Sequence, residues 1–206
     1  MVPHPVSQVK GWLDAVAVFG LMVKDREALG HNQRVAQLCV QIGRQLAMTT
    51  AELRVLARAG LMHDIGKLAI PDEILDKRAA LDESEWTLMK AHPEIGLSIL
   101  GDGQSRRALL GVLYHHERLD GSGYPYGLGA EAIPIEARIV AVADTYDALT
   151  SDRPYRKART PWEARRVLLD EARSRLDARV VSAMFDAIDV HVNRPAQPAS
   201  RKFLLA

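Results

Sequence analysis

The sequence predicts an all-α fold, and three observations carry the prediction. Apolar residues recur at spacings of three and four, as in Val35, Leu38, Cys39 and Ile42 and again in Leu53, Leu56, Ala57 and Leu61, which is the period of a helix with one buried face. Helix starts are marked by residues that satisfy the free N–H groups of a first turn: Asp82 with Glu85 three residues on, and Thr160 with Pro161 and Glu163 behind it. Residues 135–149 are apolar almost all round, as a helix buried on most sides requires.

With 206 residues the chain can bury a core without disulfides or a structural metal. We expect an N-terminal helix or linker stub over residues 1–26, one domain over 27–192, and a flexible tail over 193–206, where Pro195, Pro198 and Ser200 cluster. Val9 to Lys24 reads as the stub of a signalling helix or as an N-terminal part of the bundle. The apolar stretch from Ala15 to Val23 is far short of a membrane span, and no basic segment with an apolar core and cleavage site opens the chain. The expectation is a cytoplasmic protein with no membrane span. Lys and Arg number 27 against 26 Asp and Glu, a formal charge of +1, so the surface is not built to coat DNA or a membrane. Any anion must be captured locally.

The first helical segment carries Glu27 and His31, four apart and so on one face. It also carries the one cysteine, Cys39, within the apolar pattern, where it packs as a small hydrophobe; neither a disulfide framework nor a thiolate site is available. In the next segment His63 and Asp64 are adjacent and point about 100° apart, so the pair can reach two neighbouring ions. Lys67 follows by four and by three; if the helix runs that far, its ammonium shares the face of the pair and is the natural cation for a bound phosphate. Residues 67–80, with Pro71, break the helical pattern, and the helix capped by Asp82 leads to His92, which precedes Pro93 at a helix junction. The apolar run from Leu109 to Tyr114 ends in His115 and His116 and pushes both inward. Residues 118–134 hold Gly121, Gly123, Gly127 and Gly129; this is long for a connection inside a compact domain, and such loops often carry function. Asp144 lies inside the apolar segment that follows, where an unpaired carboxylate is expensive.

Taken singly these residues have ordinary explanations: His92 a capping histidine, Glu27 and Lys67 solvated charges, Asp144 a hydrogen-bonded carboxylate. Together they make five histidines, two aspartates and one glutamate, too many donors for a single ion. Imidazole mixed with carboxylate suits Fe, Mn, Zn or Ni better than Ca or Mg.

The ordered strings His63-Asp64-Ile65-Gly66-Lys67, His92-Pro93-Glu94-Ile95-Gly96, His115-His116-Glu117-Arg118-Leu119-Asp120-Gly121-Ser122-Gly123-Tyr124-Pro125, and Asp144 ahead of Ser151-Asp152-Arg153-Pro154-Tyr155-Arg156 resemble the HD-GYP family of cyclic dinucleotide phosphodiesterases. The resemblance runs from about Glu27 to about Ile188 and implies an HD-type helical bundle with a long Gly-rich loop. It implies hydrolysis of cyclic di-GMP to linear pGpG, GMP or both at a centre of two or three divalent transition-metal ions, Fe or Mn first and Zn or Ni next. By the same resemblance His31, His63, Asp64, His92, His115, His116 and Asp144 are the ligands, Asp64 bridges two ions, and Glu27 matches a carboxylate associated with a third ion in some members. Tyr124, Arg153 and Arg156 fall where the family contacts substrate, although lysine is also seen at the last of these. Asp64 and Lys67 are the catalytic candidates: the ions supply an acidified water and a hold on a phosphate oxygen, and Lys67 stabilises charge on the phosphate or orients the nucleophile. GGDEF-type diguanylate cyclases, a separate sensor protein and a homodimer remain open as partners. A cyclic di-GMP sensing or cyclase-docking module with little turnover is the competing reading, but a docking surface needs no histidine cluster. A nucleotide phosphohydrolase or di-iron oxygenase shares the His-Asp pair and lacks the Gly-Tyr-Pro string.

Overall fold

The computed structural model describes residues 20, 24, 28–152 and 157–192. Glu27, Arg153 and Arg156, and the tail over 193–206, lie outside the described residues.

The described chain is a helical bundle: α1 (Ala28–Gln45), α2 (Thr50–Met62), a short α3 (Asp72–Leu75), α4 (Glu83–Lys90), α5 (His92–Leu100), α6 (Arg106–Tyr114), α7 (Ile135–Thr150), α8 (Pro161–Glu171) and α9 (Ala178–Val192). Three 3₁₀ turns stand between them, at Ile65–Ala69, Gly101–Gly103 and Ala130–Ala132. Among the described residues there is no strand, only one isolated bridge, Asp120 to Gly129, which pinches the long loop. The all-α expectation holds.

Local sequence explains the starts. Asp82 and Thr160 each accept from the backbone of a glutamate three residues on, and that glutamate accepts in return from the capping residue's own N–H. Thr49 and Glu52 form the same reciprocal pair at α2. The end of α1 is a tight reversal: Ala47 N–H reaches Arg44 O at 3.0 Å and Met48 N–H reaches Gly43 O at 2.9 Å, with Ala47 in the left-handed region at φ 56°.

The helices pack because their apolar faces meet. α1 lies against α2, α7 and α9, and α6 lies against α2, α5 and α7. Between them Val35, Cys39, Ile42, Leu56, Ala59, Val140, Val142, Val180 and Met184 form the main core. Cys39 is buried and free, as its place in the pattern predicts. A smaller cluster of Met62, Ile65, Leu100 and Val112 supports the other end of α2.

The sequence left open whether α2 runs as far as Lys67. The helix does not run on to Lys67; it stops at Met62, His63 caps it, and the chain tightens into the 3₁₀ turn at Ile65. The cause is tertiary: this turn is pressed against α5, where Gly66 meets the His92 backbone so closely that a Cβ on Gly66 would lie 1.9 Å from His92 O. From the other side Lys24 ties the turn down, its ammonium donating to Leu68 O at 2.8 Å and Ile70 O at 2.6 Å. Lys24 belongs to the segment expected to be a stub.

Candidate metal centre

Helix ends build the site. His63 follows the last residue of α2, His92 opens α5 one residue after α4, and His115 follows the last residue of α6. Each of these rings donates its Nδ1–H to a carbonyl three residues back: His63 to Gly60 O at 2.8 Å, His92 to Met89 O at 2.8 Å, and His115 to Val112 O at 2.6 Å. With Nδ1 so engaged, Nε2 of each ring faces the centre with its lone pair exposed.

Asp64 sits between these nitrogens. Its Oδ1 lies 3.4 Å from His92 Nε2, and its Oδ2 lies 3.4 Å from His63 Nε2 and 3.8 Å from His31 Nε2. Two donor groups result, Asp64 with His92, His115 and His116, and Asp64 with His31 and His63; within each group the donor atoms all lie within 4.8 Å of one another. Asp64 is common to both. Asp144, from the middle of α7, joins the second group, its Oδ1 3.3 Å from His31 Nε2. Thus seven of the eight residues expected to ligate come together in the described structure, and Glu27 is the one outside it.

The electrostatics suit cations. Burial would raise the Asp64 carboxyl, but Lys67, His63 and His92 outweigh it and hold the group well below its usual range. Asp144 is likewise held low against burial, by its hydrogen bond to His31 and the nearby imidazoles. Burial pushes His92 down to about 4 and takes His115 and His116 well below the ordinary imidazole value, with neighbouring histidines adding to the effect. These three rings are therefore neutral at neutral pH, with lone pairs available. His31 differs: burial would lower it, but its bonds to Asp144 and Asp147 raise it to about 9.

His63 Nε2 is buried and has no hydrogen-bond partner. An orphan of this kind costs about 1–3 kcal/mol, a cost that coordination to a cation removes. Together with a donor set of imidazoles and carboxylates, this orphan fits the cluster to hold a divalent metal.

Around the cluster, Lys67 donates to Asp64 Oδ2 at 2.6 Å. Tyr124 lies flat on the His116 ring, centroids 4.5 Å apart at 23°. Gly123 makes that stacking possible, since a Cβ there would stand 2.4 Å from Glu117 Cα and 2.5 Å from His116 O. The loop is held from inside by buried Glu117, whose two carboxylate oxygens accept from Tyr126 N–H at 2.8 Å and Leu128 N–H at 2.9 Å. Sequence reasoning passed over Glu117, and also Asp147 and Arg34. Asp147 Oδ2 accepts from His31 Nδ1 at 2.7 Å, and Arg34 braces Asp147 with contacts of 2.5 Å and 3.0 Å. The available signal was spacing: Asp147 stands one turn beyond Asp144, and Arg34 one turn beyond His31.

Comparison with known proteins places the chain in a family. The family model described as HD domain matches residues 20–180. The chain is 47% identical over 156 residues to the cyclic di-GMP phosphodiesterase response regulator RpfG of Xanthomonas campestris pv. campestris, covering 74% of this chain and 41% of that protein. It is 38% identical over 178 residues to the 3'3'-cGAMP-specific phosphodiesterase 3 of Vibrio cholerae serotype O1, covering 85% of this chain and 39% of that protein. It is similar in structure to Bd1817, a HDG"Y"P protein from Bdellovibrio bacteriovorus, with a TM-score of 0.65 and 21% identity over 79% of this chain and 52% of that one, which shows a shared fold. The chain thus spans about two fifths of the length of these two curated relatives. Among the described residues no helix is long and apolar enough to cross a membrane.

Proposed function

This chain belongs to the HD domain family, and from that premise we propose that it is a metal-dependent phosphodiesterase that hydrolyses cyclic di-GMP to linear pGpG, GMP or both. The observation that carries the reading is Asp64, a carboxylate common to two groups of histidine donors, with Oδ1 toward His92 and Oδ2 toward His63. If ions are bound, a carboxylate so placed would contribute to both donor groups.

In this reading His31, His63, Asp64, His92, His115, His116 and Asp144 hold two ions and Glu27 serves a third, with Fe or Mn the first candidates and Zn or Ni the next. Bound ions of this class acidify a water and polarise a phosphate oxygen. The protein's own groups do the rest. Asp64 remains ionised in spite of burial, and the Lys67 ammonium beside it meets developing charge on the phosphate or orients the nucleophile. Tyr124 is a neutral phenol, its pKa raised by burial, and offers a hydroxyl or a stacking face to the substrate beside His116. Arg153 and Arg156 grip phosphate oxygens through planar forks. The described residues on either side of that segment are bonded to α7 and to each other: Ser151 N–H reaches Asp147 O at 3.0 Å, Arg159 N–H reaches Leu149 O at 2.9 Å, and Ala158 N–H reaches Asp152 Oδ1 at 2.8 Å. A cytoplasmic setting belongs to the same proposal, with cyclases of the GGDEF type or a separate sensor protein as partners.

The test is metal content by elemental analysis of anaerobically purified protein, with turnover of cyclic di-GMP and of 3'3'-cGAMP followed chromatographically on the same sample. Two or three equivalents of Fe or Mn, hydrolysis of cyclic di-GMP, and loss of that activity in Asp64→Ala are the expected results. Preference for 3'3'-cGAMP would move the substrate assignment while keeping the chemistry, and normal turnover by Asp64→Ala would overturn the site assignment.

A further inference from the structure

His31 is held differently from His63, His92 and His115. His63, His92 and His115 each spend Nδ1 on a neutral backbone carbonyl three residues back in the chain. His31 spends Nδ1 on a carboxylate from another helix, Asp147 of α7, at 2.7 Å. Asp144, one turn earlier on α7, meets the opposite side of the same ring at 3.3 Å from Nε2. The imidazole is thus spanned by two carboxylates of one helix, one toward the cluster and one away from it.

Asp147 is not a surface carboxylate that happens to be near. Its side chain is 4% exposed, and both of its oxygens are used. Oδ1 takes Arg34 Nε at 2.5 Å; Oδ2 takes His31 Nδ1, Arg34 Nη2 at 3.0 Å and Ser151 Oγ at 3.3 Å. Arg34 Nη2 also reaches Ser151 Oγ at 3.0 Å. The guanidinium and the imidazole hold the carboxyl below its usual range, although burial works the other way. Once an ion takes the place of the proton on Nε2, a charged acceptor on Nδ1 keeps the remaining ring proton there, locks the ring plane, and makes Nε2 a stronger electron-pair donor than a neutral carbonyl would.

We propose that Asp147, braced by Arg34, is the positioning residue that sets the orientation and tautomer of His31 and so strengthens binding of the ion on the His31 and His63 side of Asp64. The ion on the His92, His115 and His116 side is indifferent to it. This rests on the two-ion reading given above.

The experiment is a Mn(II) titration of the ion-free full chain, followed through the free-Mn(II) electron paramagnetic resonance signal. Wild type, Asp147→Asn, Arg34→Gln, His31→Ala and the double variant His31→Ala with Asp147→Asn are compared, and a thermal melt of each ion-free protein accompanies the titration. The expected result is that Asp147→Asn weakens one of two Mn(II) sites by about 10–100-fold and leaves the other unchanged. Arg34→Gln weakens the same site by less, because the carboxylate stays in place. In the His31→Ala background Asp147→Asn costs nothing further, since its partner ring is gone. Unchanged affinity in Asp147→Asn, or an equal loss with and without His31, would overturn the proposal, the second result assigning Asp147 to the packing of α1 on α7. If wild type binds no Mn(II) and no other divalent transition metal, the metal-centre reading itself fails and takes the proposal with it.

Discussion

Gly66 and His92 are in backbone contact: a Cβ placed on Gly66 would stand 1.9 Å from the His92 carbonyl oxygen and 2.7 Å from Gly96 N. The turn that follows Asp64 and the first turn of α5 are therefore a single packed unit, with no room for one carbon atom.

Gly66→Ala must push these two segments apart. The obstructing atoms are backbone, so the cost exceeds the usual overpacking penalty of about 1–3 kcal/mol. We expect a large fall in thermal midpoint together with reduced metal content, both measured on the purified variant. A variant that melts and loads as wild type does would show that the turn yields freely.

Glu117 organises the Gly-rich loop from below, accepting one backbone N–H on each carboxylate oxygen. Glu117→Gln keeps the shape but turns one acceptor into an NH₂ facing a backbone donor, a loss of about 1–3 kcal/mol at a buried site. Hydrogen exchange at the amides of Tyr126 and Leu128 is expected to accelerate by one to two orders of magnitude in proportion to that loss, about a factor of 10 per 1.4 kcal/mol. Unchanged protection at both amides would remove Glu117 from this role.

Lys67→Met keeps most of the side chain's volume and deletes the ammonium that lies 2.6 Å from Asp64 Oδ2. If the charge acts on the phosphate, turnover of cyclic di-GMP falls on the order of 10²-fold, the scale seen when one preorganised donor is removed. Metal content stays the same. Equal turnover at equal metal loading would leave Lys67 a structural partner of Asp64.

Ala47 closes α1 with φ at 56°, a conformation that costs a residue with a side chain about 1–2 kcal/mol and glycine nothing. Ala47→Gly relieves this but loosens the unfolded chain, so the expected net gain is smaller, about 0.5–1 kcal/mol. Denaturant titration reads it as a higher midpoint at constant slope; a lower midpoint would contradict the assignment.

What could be read in advance followed from how local the physics is. The caps at Asp82 and Thr160 are set by four consecutive residues and appear as the sequence predicts. The histidines and aspartates were legible because so few other side chains can serve a transition metal, and the structure brings seven of them to one place. The end of α2 at Met62 was not legible, because the contact of Gly66 with α5 decides it and that contact joins segments 26 residues apart. Asp147 escaped for a similar reason. On α7 alone it is one more acid, and only the packing of α1 on α7 brings it to His31, 116 positions away.

Three helices finish at the cluster: α2 at His63, α6 at His115, and α4 two residues before His92. A helix presents roughly half a negative charge at its C-terminus, from peptide dipoles summed along the axis. The N-terminus of α5 at His92 opposes the end of α4, so the net backbone contribution comes from α2 and α6, whose ends add negative potential to that of Asp64 and Asp144. That potential favours cations, and the Lys67 ammonium already answers part of it, 2.6 Å from Asp64 Oδ2. A divalent ion held there would turn the local field toward anions. Under the proposed function these helix ends would favour metal first and phosphodiester second.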